Sequence, residues 1–486
     1  MSLDEIRNDR LKKLALLKER GVDPYPASSN ITITLGELAT SFEDAVAAEK
    51  PITVGGRVMS IREHCGTIFA DLFDGTGKIQ GYIKSDVLGE EQFSFFSQTA
   101  DAGDFIELSG VPTRTKRGEA SVLVSSWRML SKSLRTLPEK WVGLTDPEER
   151  LRKRYLDILL NDDVREMLTQ KSRFWTSVRS FMQREGFLEV ETPILETTTG
   201  GADARPFMTH HNALDMDVYL RISAGELWQK RLMVAGFPKV FELGRIFRNE
   251  GMSATHLQDY TQMEFYWGYA DYEKGMKLVE ELYRYVAQET FGTQVFELNG
   301  YSVDLSQPWE RYDYRETVKK MTGVDVLETT QEEVEAALRK LGVDYQKEGF
   351  NITRAIDNLW KYCRKQLSGP GFLVGVPTVV SPLAKRMPSD PRVAERFQPI
   401  IGGTELGNGF SELNDPIDQN ERFEEQQRMR DAGDDEAQMA DLDYVEALEY
   451  GMPPTCGFGM SERVFAVLAN KPIRETQIFP LMKPRQ

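Results

Sequence analysis

The chain has 486 residues and a mass of 55.4 kDa, a length that predicts two to four domains with a large core. Its three cysteines, Cys65, Cys363 and Cys456, are too few and too far apart to predict a structural zinc site or a disulfide framework, so we expect a reducing cytosolic location. The net charge of −16 argues against indiscriminate coating of nucleic acid, and no apolar stretch is long enough to predict a membrane helix.

The N-terminal part is predicted to be a helix followed by a small barrel. Apolar side chains recur at helical spacing over 3–20, until Gly21 ends the pattern. Short alternating segments follow within 51–130, separated by glycine-containing turns, with one helical connection near 86–100. This pattern is typical of a five-stranded Greek-key barrel such as an OB-fold, a fold that often binds single-stranded nucleic acid.

The pattern changes beyond the barrel. Long helical patterns alternate with β-rich segments, which predicts an α+β domain built around a mainly antiparallel sheet. Residues 315–370 are polar and helical and interrupt this alternation, so we interpret them as an inserted helical subdomain. The predicted bounds are 1–48 for the N-terminal helix and lead-in, 49–138 for the barrel, 139–160 for a linker and 161–486 for the larger domain.

The first segment with chemical character is 241–267. One strand ends at Arg248, and the next strand carries Glu264 and Tyr266, which alternation places on one face. The planar fork of Arg248 suits a carboxylate or a phosphate. Alone, the pattern fits a salt-bridged surface hairpin equally well.

The second segment is 400–415. Alternation places Glu405, Asn408, Phe410 and Glu412 close together, between glycines that let a ligand approach the backbone. Carboxylates without a set of zinc ligands indicate a hard cation such as Mg²⁺, or a cationic ligand. The alternative is a glycine-rich edge strand.

The third segment is 455–484. A glycine-rich strand leads into a helix that is predicted to begin near Arg463. Helix N-termini attract anions, and a cation there can lie across a planar base. The alternative is ordinary glycine packing between a strand and a helix.

In order and spacing, these segments resemble the signature motifs of class II aminoacyl-tRNA synthetases. The segments REGFLEVETPIL, FRNEG…HLQDYTQMEFY and GFGMSERVFAVL resemble motifs 1, 2 and 3. Within the class the chain is most similar to lysyl-tRNA synthetases, through segments such as SLRTLPEKWVGLTD, GNGFSELNDP and FPLMKP, and the resemblance covers nearly the whole chain. It implies ATP-dependent activation of lysine to lysyl-adenylate and pyrophosphate, then transfer to the 3′-terminal adenosine of tRNA(Lys). It also implies Mg²⁺ with ATP, no zinc, a homodimer formed through motif 1, no membrane partner and a cytoplasmic location.

The resemblance also implies a role for individual positions. The catalytic residues would be Arg248, Arg463 and Glu405, with Glu405 also the Mg²⁺ ligand. Lysine would be bound by Gly201, Glu226, Arg248, Glu264, Tyr266, Asn408, Phe410 and Glu412. ATP would be bound by Arg248, Glu250, His256, Tyr260, Glu405 and Arg463. In the barrel, the anticodon would be contacted by Arg62, Phe69, Gln80 and Glu119.

The chain departs from the family pattern at several positions. Thr255 stands where motif 2 usually carries arginine, so we expect a γ-phosphate contact to be lost. Gln398 replaces a glutamate, and a neutral amide is a weaker Mg²⁺ ligand. The segment before Glu226 is one residue longer and motif 3 before Arg463 is one residue shorter than in the family.

These departures keep alternatives open. An aspartate- or asparagine-type ligase of the same class is one, although two acids and a tyrosine hydroxyl suit a buried ammonium better than a side chain of the opposite charge. A non-catalytic RNA-binding paralogue is the second. A paralogue that lysylates a protein is the third, but such paralogues lack the N-terminal barrel that we predict here.

Overall fold

The computed structural model describes residues 2–138, 144–202, 204–251, 253, 256–345, 351–432 and 437–485. The chain divides into two compact units, Met1–Pro147 and Glu148–Gln486. Thr255 and residues 139–143 of the predicted linker lie outside the described residues. In the described ranges, no helix is both long and apolar enough to span a membrane.

The first unit is built on a closed barrel with the strand order β1-β2-β3-β5-β4. The strands are β1 (Ile52–His64), β2 (Thr67–Phe73), β3 (Lys78–Lys84), β4 (Phe105–Arg114) and β5 (Ala120–Ser131). The helices are α1 (Leu3–Glu19), α2 (Leu35–Thr40), α3 (Phe42–Ala48), α4 (Ser85–Leu88) and α5 (Glu90–Thr99). Strands β3 and β5 pair in parallel, while the other neighbours in the barrel are antiparallel. The predicted five-stranded OB-fold is confirmed, including its helical connection, which α4 and α5 form between β3 and β4.

The N-terminal helix is attached to this unit by a buried cation. Arg10 of α1 donates hydrogen bonds to the backbone carbonyls of Ala102, Ser133 and Arg135, at 2.8, 3.2 and 2.9 Å. These carbonyls lie at the ends of the barrel strands, and Leu17 of the same helix is buried in the barrel core. The sequence pattern of apolar residues therefore identifies the helix, but a polar contact helps to fix its position.

The second unit is built on a mainly antiparallel sheet. Its order is β14-β15-β16-β18-β19-β11-β10-β6, with β17 paired to β16. The pairs β14–β15 and β10–β6 are parallel and the others are antiparallel. The predicted α+β class is therefore confirmed.

The strands of this unit are β6 (Leu188–Glu189), β7 (Leu195–Glu196), β8 (Met208–His211), β9 (Met216–Leu220), β10 (Lys239–Phe247), β11 (Asp259–Gly268), β12 (Val295–Leu298), β13 (Tyr301–Asp304), β14 (Glu310–Asp313), β15 (Gly371–Pro377), β16 (Val393–Ile401), β17 (Thr404–Glu405), β18 (Asn408–Ser411) and β19 (Thr455–Ser461). From Pro147 onward the helices are α6 (Pro147–Arg152), α7 (Arg154–Leu160), α8 (Asp162–Arg184), α9 (Glu226–Val234), α10 (Tyr272–Phe291), α11 (Tyr314–Thr322), α12 (Gln331–Leu341), α13 (Ile352–Arg364), α14 (Pro416–Asp431), α15 (Leu442–Glu449) and α16 (Arg463–Leu468). Strands β7, β9 and β8 form a separate small sheet, and β12 pairs with β13.

The pleat of the main sheet separates its hydrophobic core from its polar face. In β11, Met263 and Phe265 pack into the core that includes residues of α8 and α10. The alternating residues Glu264 and Tyr266 point to the opposite face and line a cavity. Strand β19 repeats the arrangement, since Phe458 joins the same core while its glycine neighbours lie against the cavity.

Three helices, α11, α12 and α13, lie in the chain between β14 and β15. They share a core that includes Val318, Leu338, Leu359 and Trp360. Thr330 and Glu333 form a capping box at the start of α12. Residues 346–350 of this segment lie outside the described residues.

Candidate active site

A cavity of about 1100 Å³ lies on the polar face of the main sheet. Its walls include every residue of the second unit that the sequence assigns to the site: Gly201, Glu226, Arg248, Glu250, His256, Tyr260, Glu264, Tyr266, Glu405, Asn408, Phe410, Glu412 and Arg463. These residues come from loops and from five strands and helices that are far apart in sequence. The fold therefore brings the three predicted segments together at one site.

One end of the cavity contains three buried carboxylates. Glu226, Glu264 and Glu412 are 6%, 3% and 1% exposed. The Tyr266 hydroxyl donates to Glu264 Oε2 at 3.3 Å, and the backbone N–H of Ala224 donates to Glu264 Oε1 at 2.8 Å. In the described part of the chain, Glu412 Oε1 accepts no hydrogen bond. A buried carboxylate oxygen without such a partner is costly, so this end of the cavity is suited to a cationic ligand.

Lys230 lies among these carboxylates and was missed by the sequence analysis. Its ammonium is fully buried, 2.7 Å from Glu226 Oε1 and 2.5 Å from Glu412 Oε2. It also lies 5.2 Å from the ring centre of Phe410 and 5.9 Å from that of Tyr266. Lys230 therefore neutralises part of the negative charge and holds Glu226 and Glu412 in a fixed arrangement.

Burial and the charges of neighbouring groups shift the pKa values of the ionisable side chains at this end of the cavity. Burial, together with the charge of Glu226, raises the pKa of Glu264 to about 8. Burial also raises the pKa of Glu412, against the pull of Lys230. For Lys230, burial lowers the pKa, but the charges of Glu226 and Glu412 outweigh burial and raise it overall. The Tyr266 hydroxyl stays a donor because burial and the nearby glutamates raise its pKa.

Two glycines leave room at this end of the cavity. A Cβ atom on Gly457 would lie 2.1 Å from Glu412 Oε1 and 2.5 Å from a ring carbon of Tyr266. A Cβ atom on Gly201, which has a φ of +85°, would lie 2.6 Å from Ser223 Oγ and 2.7 Å from Glu226 Cβ. Both positions therefore require glycine for the polar groups to reach the cavity.

The wall beside the carboxylates is formed by β18. Phe410 is buried, and Asn408 Oδ1 accepts a hydrogen bond from Arg396 Nε at 2.8 Å. This bond leaves the amide nitrogen of Asn408 oriented away from Arg396. The two residues give the acidic end one apolar side and one hydrogen-bonding side.

The other end of the cavity is cationic. Arg248 Nε donates to the carbonyl of Ile222 at 3.2 Å, and its guanidinium lies 5.8 Å from the ring centre of Tyr260. Arg463 follows β19, and burial lowers the pKa of its guanidinium, although Tyr260 and Glu405 lie close enough to oppose that shift. Glu250, near the start of the loop that follows β10, also lines the cavity. Guanidinium groups beside an aromatic ring suit a planar base that carries phosphates.

His256 lies where several cations meet. Its Nδ1 is 2.7 Å from Ser253 Oγ. Partial removal from solvent lowers the His256 pKa, and four cations lower it further. In order of effect, these cations are Arg463, Lys361, Arg248 and Arg364. The imidazole is therefore neutral near pH 7, in a region of positive potential.

Glu405 and Gln398 bear on the predicted Mg²⁺ site. Glu405 Oε2 accepts a hydrogen bond from Arg364 Nη1 at 3.0 Å, and Gln398 is a buried neutral amide. Within the described ranges, no group of three or more His, Cys, Asp or Glu side chains gathers for a metal. Mg²⁺ often keeps several waters and uses one or two carboxylates together with substrate phosphates. The residues present fit an ion held in that way, with Glu405 as the carboxylate.

One wall of the cavity is not predicted by the sequence motifs. Helix α13 lines it with Arg354, Asp357, Lys361 and Arg364, which recur at the spacing of one helical face. That spacing is visible in the sequence. What it does not reveal is that this face of the inserted helices meets the cavity.

The residues predicted to contact the anticodon lie together on the first unit. The register pairs Arg62 with Phe69 across β1 and β2, and Phe69 with Tyr82 across β2 and β3, so the three side chains share the outer face of the barrel. Phe69 is partly exposed and stacks on Tyr82, with ring centres 5.2 Å apart and an interplanar angle of 6°. Sequence reasoning missed Tyr82, although alternation with Ile79, Gly81 and Ile83 in β3 places it outside the core.

The other residues predicted to contact the anticodon are polar and differ from one another in their hydrogen bonds and in their exposure. Arg62 makes two hydrogen bonds to Asp71, at 2.8 and 3.1 Å. Gln80 is buried, and its Oε1 accepts from Ser121 Oγ at 3.0 Å. Glu119 is exposed, two residues before Ser121. The barrel therefore presents an aromatic pair with polar groups around it.

Comparison with known proteins agrees with this geometry. Residues 146–483 match the family described as tRNA synthetases class II (D, K and N), and residues 52–130 match the OB-fold nucleic acid binding domain. A relative from Roseiflexus castenholzii named lysine–tRNA ligase is 44% identical over 492 residues, covering 100% of both chains. Relatives of the same name from Thermotoga maritima and Pelotomaculum thermopropionicum are each 44% identical, covering 100% of this chain and 97% and 96% of their own. The chain therefore belongs to the class II tRNA synthetases, within the lysine–tRNA ligases of that class.

Proposed function

We propose that this chain is a lysine–tRNA ligase, which activates lysine with ATP and then transfers it to the 3′-terminal adenosine of tRNA(Lys). The observation that carries the proposal is the charge of the buried end of the cavity. Three carboxylates, Glu226, Glu264 and Glu412, are buried there with one ammonium, that of Lys230, which pairs with Glu226 and Glu412. With all four groups ionised, they carry two net negative charges, which balance the two positive ammonium groups of a lysine substrate.

The proposed placement of lysine follows from these charges. The ε-ammonium lies against Glu264, Tyr266 and Glu412, where Glu412 Oε1 accepts no hydrogen bond from the described residues. The α-ammonium lies against Glu226 and the backbone near Gly201. Asn408 and Phe410 bound the aliphatic chain. Burial of an ammonium is favourable there because charged acceptors replace its hydration.

The first chemical step uses the cationic end. Arg248 holds the substrate carboxylate and the α-phosphate, while Tyr260 and Arg463 lie on the two sides of the adenine. A carboxylate oxygen attacks the α-phosphorus, the bond to the bridging oxygen breaks, and its electrons leave with pyrophosphate. Positioning and charge neutralisation drive the step, so no protein nucleophile is needed.

Two further ATP contacts are proposed. Glu250 and the neutral imidazole of His256 lie beside the nucleotide. Mg²⁺ bound with ATP would be held by Glu405 and would neutralise charge on the phosphates. In the second step, a hydroxyl of the terminal adenosine attacks the lysyl carbonyl and AMP leaves.

The barrel is proposed to bind the anticodon. The stacked pair of Phe69 and Tyr82 offers a platform for an unpaired base, and Arg62, Gln80 and Glu119 offer hydrogen bonds to base edges. Stacking combined with edge contacts is how single-stranded RNA is usually read.

A homodimer and a cytosolic location are also proposed. Ile194 and Leu195, at the end of the motif 1 segment, and Met208 of β8 expose apolar surface at the small sheet formed by β7, β9 and β8. A second copy of the chain would cover such a patch. The three cysteines are all unpaired thiols, as expected in a reducing compartment.

The experiment that tests the function is ATP–pyrophosphate exchange on the purified protein, with lysine, aspartate or asparagine and without tRNA. Exchange with lysine alone is the expected result, because an aspartate side chain would place a fourth carboxylate beside Glu264 and Glu412. Exchange with aspartate or asparagine would contradict the lysine site but keep the class. Absence of exchange with all three would favour a non-catalytic RNA-binding protein, with Thr255 and Gln398 as the first positions to examine.

A further inference from the structure

Helix α13 places a row of charged side chains on one wall of the cavity. Arg354, Asp357, Lys361 and Arg364 lie on the face of α13 that lines the cavity. The other side of the helix is buried in the core of the inserted helices through Ala355, Ile356, Leu359 and Cys363, and Trp360 belongs to that core while also lining the cavity. This packing fixes the rotation of the helix, so its charged face is directed to the cavity by the fold itself.

Two of these cations, Lys361 and Arg364, are paired with carboxylates in ways that a ligand can replace. Lys361 Nζ lies 2.7 Å from Asp357 Oδ2, and Arg364 Nη1 lies 3.0 Å from Glu405 Oε2. The side chains of Lys361 and Arg364 are 53% and 22% exposed. Partly exposed ion pairs contribute little to stability, so an anionic ligand can take either cation at small cost.

Lys361 and Arg364 also converge with cations from the predicted motifs. Both act electrostatically on His256, together with Arg248 and Arg463. Four positive groups around one imidazole repel one another, and a bound polyanion relieves that repulsion. The cavity is thus lined by these cations as well as by the buried carboxylates, which suits a ligand pair with a cationic end and a polyanionic end.

We propose that Lys361 and Arg364 bind the β- and γ-phosphates of ATP and the pyrophosphate formed from them. This proposal rests on the proposed function, because it extends the ATP site of that enzyme to the inserted helices. When the lysine carboxylate bonds to the α-phosphorus, the bond from that phosphorus to the bridging oxygen breaks, and its electrons stay on the oxygen of the leaving pyrophosphate. The Lys361 ammonium and the Arg364 guanidinium neutralise that added charge where it develops.

The test compares ATP with AMP, which lacks the β- and γ-phosphates. Binding of ATP, AMP and pyrophosphate is measured by calorimetry in the presence of Mg²⁺ for Lys361→Gln, Arg364→Gln and the double variant. Each single substitution is expected to weaken ATP and pyrophosphate binding about tenfold, the size of one charge-assisted contact, and to change AMP binding less than about twofold. Lys340→Gln, an exposed cation on α12 outside the cavity, is the matched control.

The outcomes separate a phosphate contact from a structural role. An equal loss of ATP and AMP binding would overturn the proposal, because it would mean that the substitutions disturb the whole site. Unchanged ATP binding would overturn it as well. Lys361→Arg and Arg364→Lys retain charge and are expected to recover most of the ATP preference. Lysine-dependent exchange by the unaltered chain tests the proposed function separately, since ATP can bind through these cations whichever amino acid is activated.

Discussion

The two ends of the cavity carry opposite charge, and they differ even more in their access to water. At the acidic end, Glu264 and Glu412 are almost fully buried and Lys230 is completely buried. At the cationic end, the side chains of Glu405 and Lys361 are 27% and 53% exposed to solvent. The acidic end therefore has a charge arrangement set by packing, whereas the cationic end has ion pairs that water and ligands can rearrange.

This difference indicates how the two ligands are selected. A buried carboxylate cannot be screened by solvent, so one added or missing charge at the acidic end changes binding strongly. An exposed cation contributes less to the free energy of ligand binding, and its contribution depends on the salt concentration and on neighbouring charges. Discrimination among amino acids should therefore depend on few buried residues, and nucleotide binding on several weaker contacts.

The largest effect is expected from Glu412→Gln. The substitution keeps the shape of the side chain but removes the charge that faces both Lys230 and the substrate ammonium. Removing one partner of a buried ion pair costs about 3–5 kcal/mol, so lysine binding should weaken roughly 100-fold or more. Lysine and AMP binding, both measured by calorimetry, check the effect, and AMP binding should be retained.

The control for this variant is Glu425→Gln on α14. Glu425 is exposed and pairs with Arg428, so its substitution should leave lysine binding unchanged. If Glu412→Gln bound lysine as well as the unaltered chain, the ammonium would have to lie elsewhere in the cavity. If it lost AMP binding equally, the substitution would have damaged the fold.

A smaller loss is expected from Gly457→Ala, which tests shape without changing charge. The added methyl group would meet Glu412 Oε1 and the Tyr266 ring at distances too short for contact. Overpacking of this kind costs about 1–3 kcal/mol, so lysine binding should weaken about tenfold or more. The lysine KM in pyrophosphate exchange measures this loss, and an unchanged KM would show that the ligand does not approach this strand.

The acidic end should also make lysine binding dependent on pH. Burial and Glu226 raise the pKa of Glu264 to about 8, so the empty cavity holds a proton there at pH 7. A bound ammonium favours the carboxylate and displaces that proton. Lysine affinity should therefore rise with pH up to about 8, by at most about tenfold per pH unit, and level off above it.

Calorimetry in two buffers of different ionisation enthalpy measures the proton released per lysine bound. A value close to one near pH 7 is expected for the unaltered chain, and Glu264→Gln should abolish it. Glu264→Gln also removes a carboxylate from the site, so its weaker affinity should be nearly independent of pH. Affinity that stays constant from about pH 6 to 8 in the unaltered chain would contradict the linkage.

The sequence predicted which residues line the cavity better than it predicted the contacts that these residues make. Positions such as Arg248 and Glu412 could be identified because they lie in segments whose spacing and sequence resemble the motifs of a known family. Lys230 could not be identified, because a lysine within a short helix usually faces water. Its burial depends on Glu412, which follows β18 of the main sheet and approaches Lys230 only when α9 packs against β10 and β11 of that sheet. Lys361 and Arg364 were missed for a similar reason. Periodicity identifies the charged face of a helix but not the part of the protein that this face lies against.

The assignment of Glu405 shows the same limit. Its sequence context predicts a metal ligand, and its position on the cavity wall agrees with that prediction without testing it. The structure adds that Arg364 from the inserted helices pairs with this carboxylate. Because the partner lies in a separate segment of the chain, no local pattern around Glu405 indicates it.

The smallest effect is expected from salt, and it distinguishes the two ends directly. The cations of α13 are partly exposed, so raising KCl from about 0.05 M to about 0.5 M at constant Mg²⁺ should weaken ATP binding several-fold through screening. Lysine binding should change less than about twofold, because Glu264, Glu412 and Lys230 lie out of reach of mobile ions. Calorimetric titration of each ligand across the salt series provides the comparison, and Lys361→Gln should reduce the salt dependence of ATP binding. Parallel weakening of both ligands would mean that the acidic end is open to solvent when lysine binds, and that the contrast between the two ends disappears in solution.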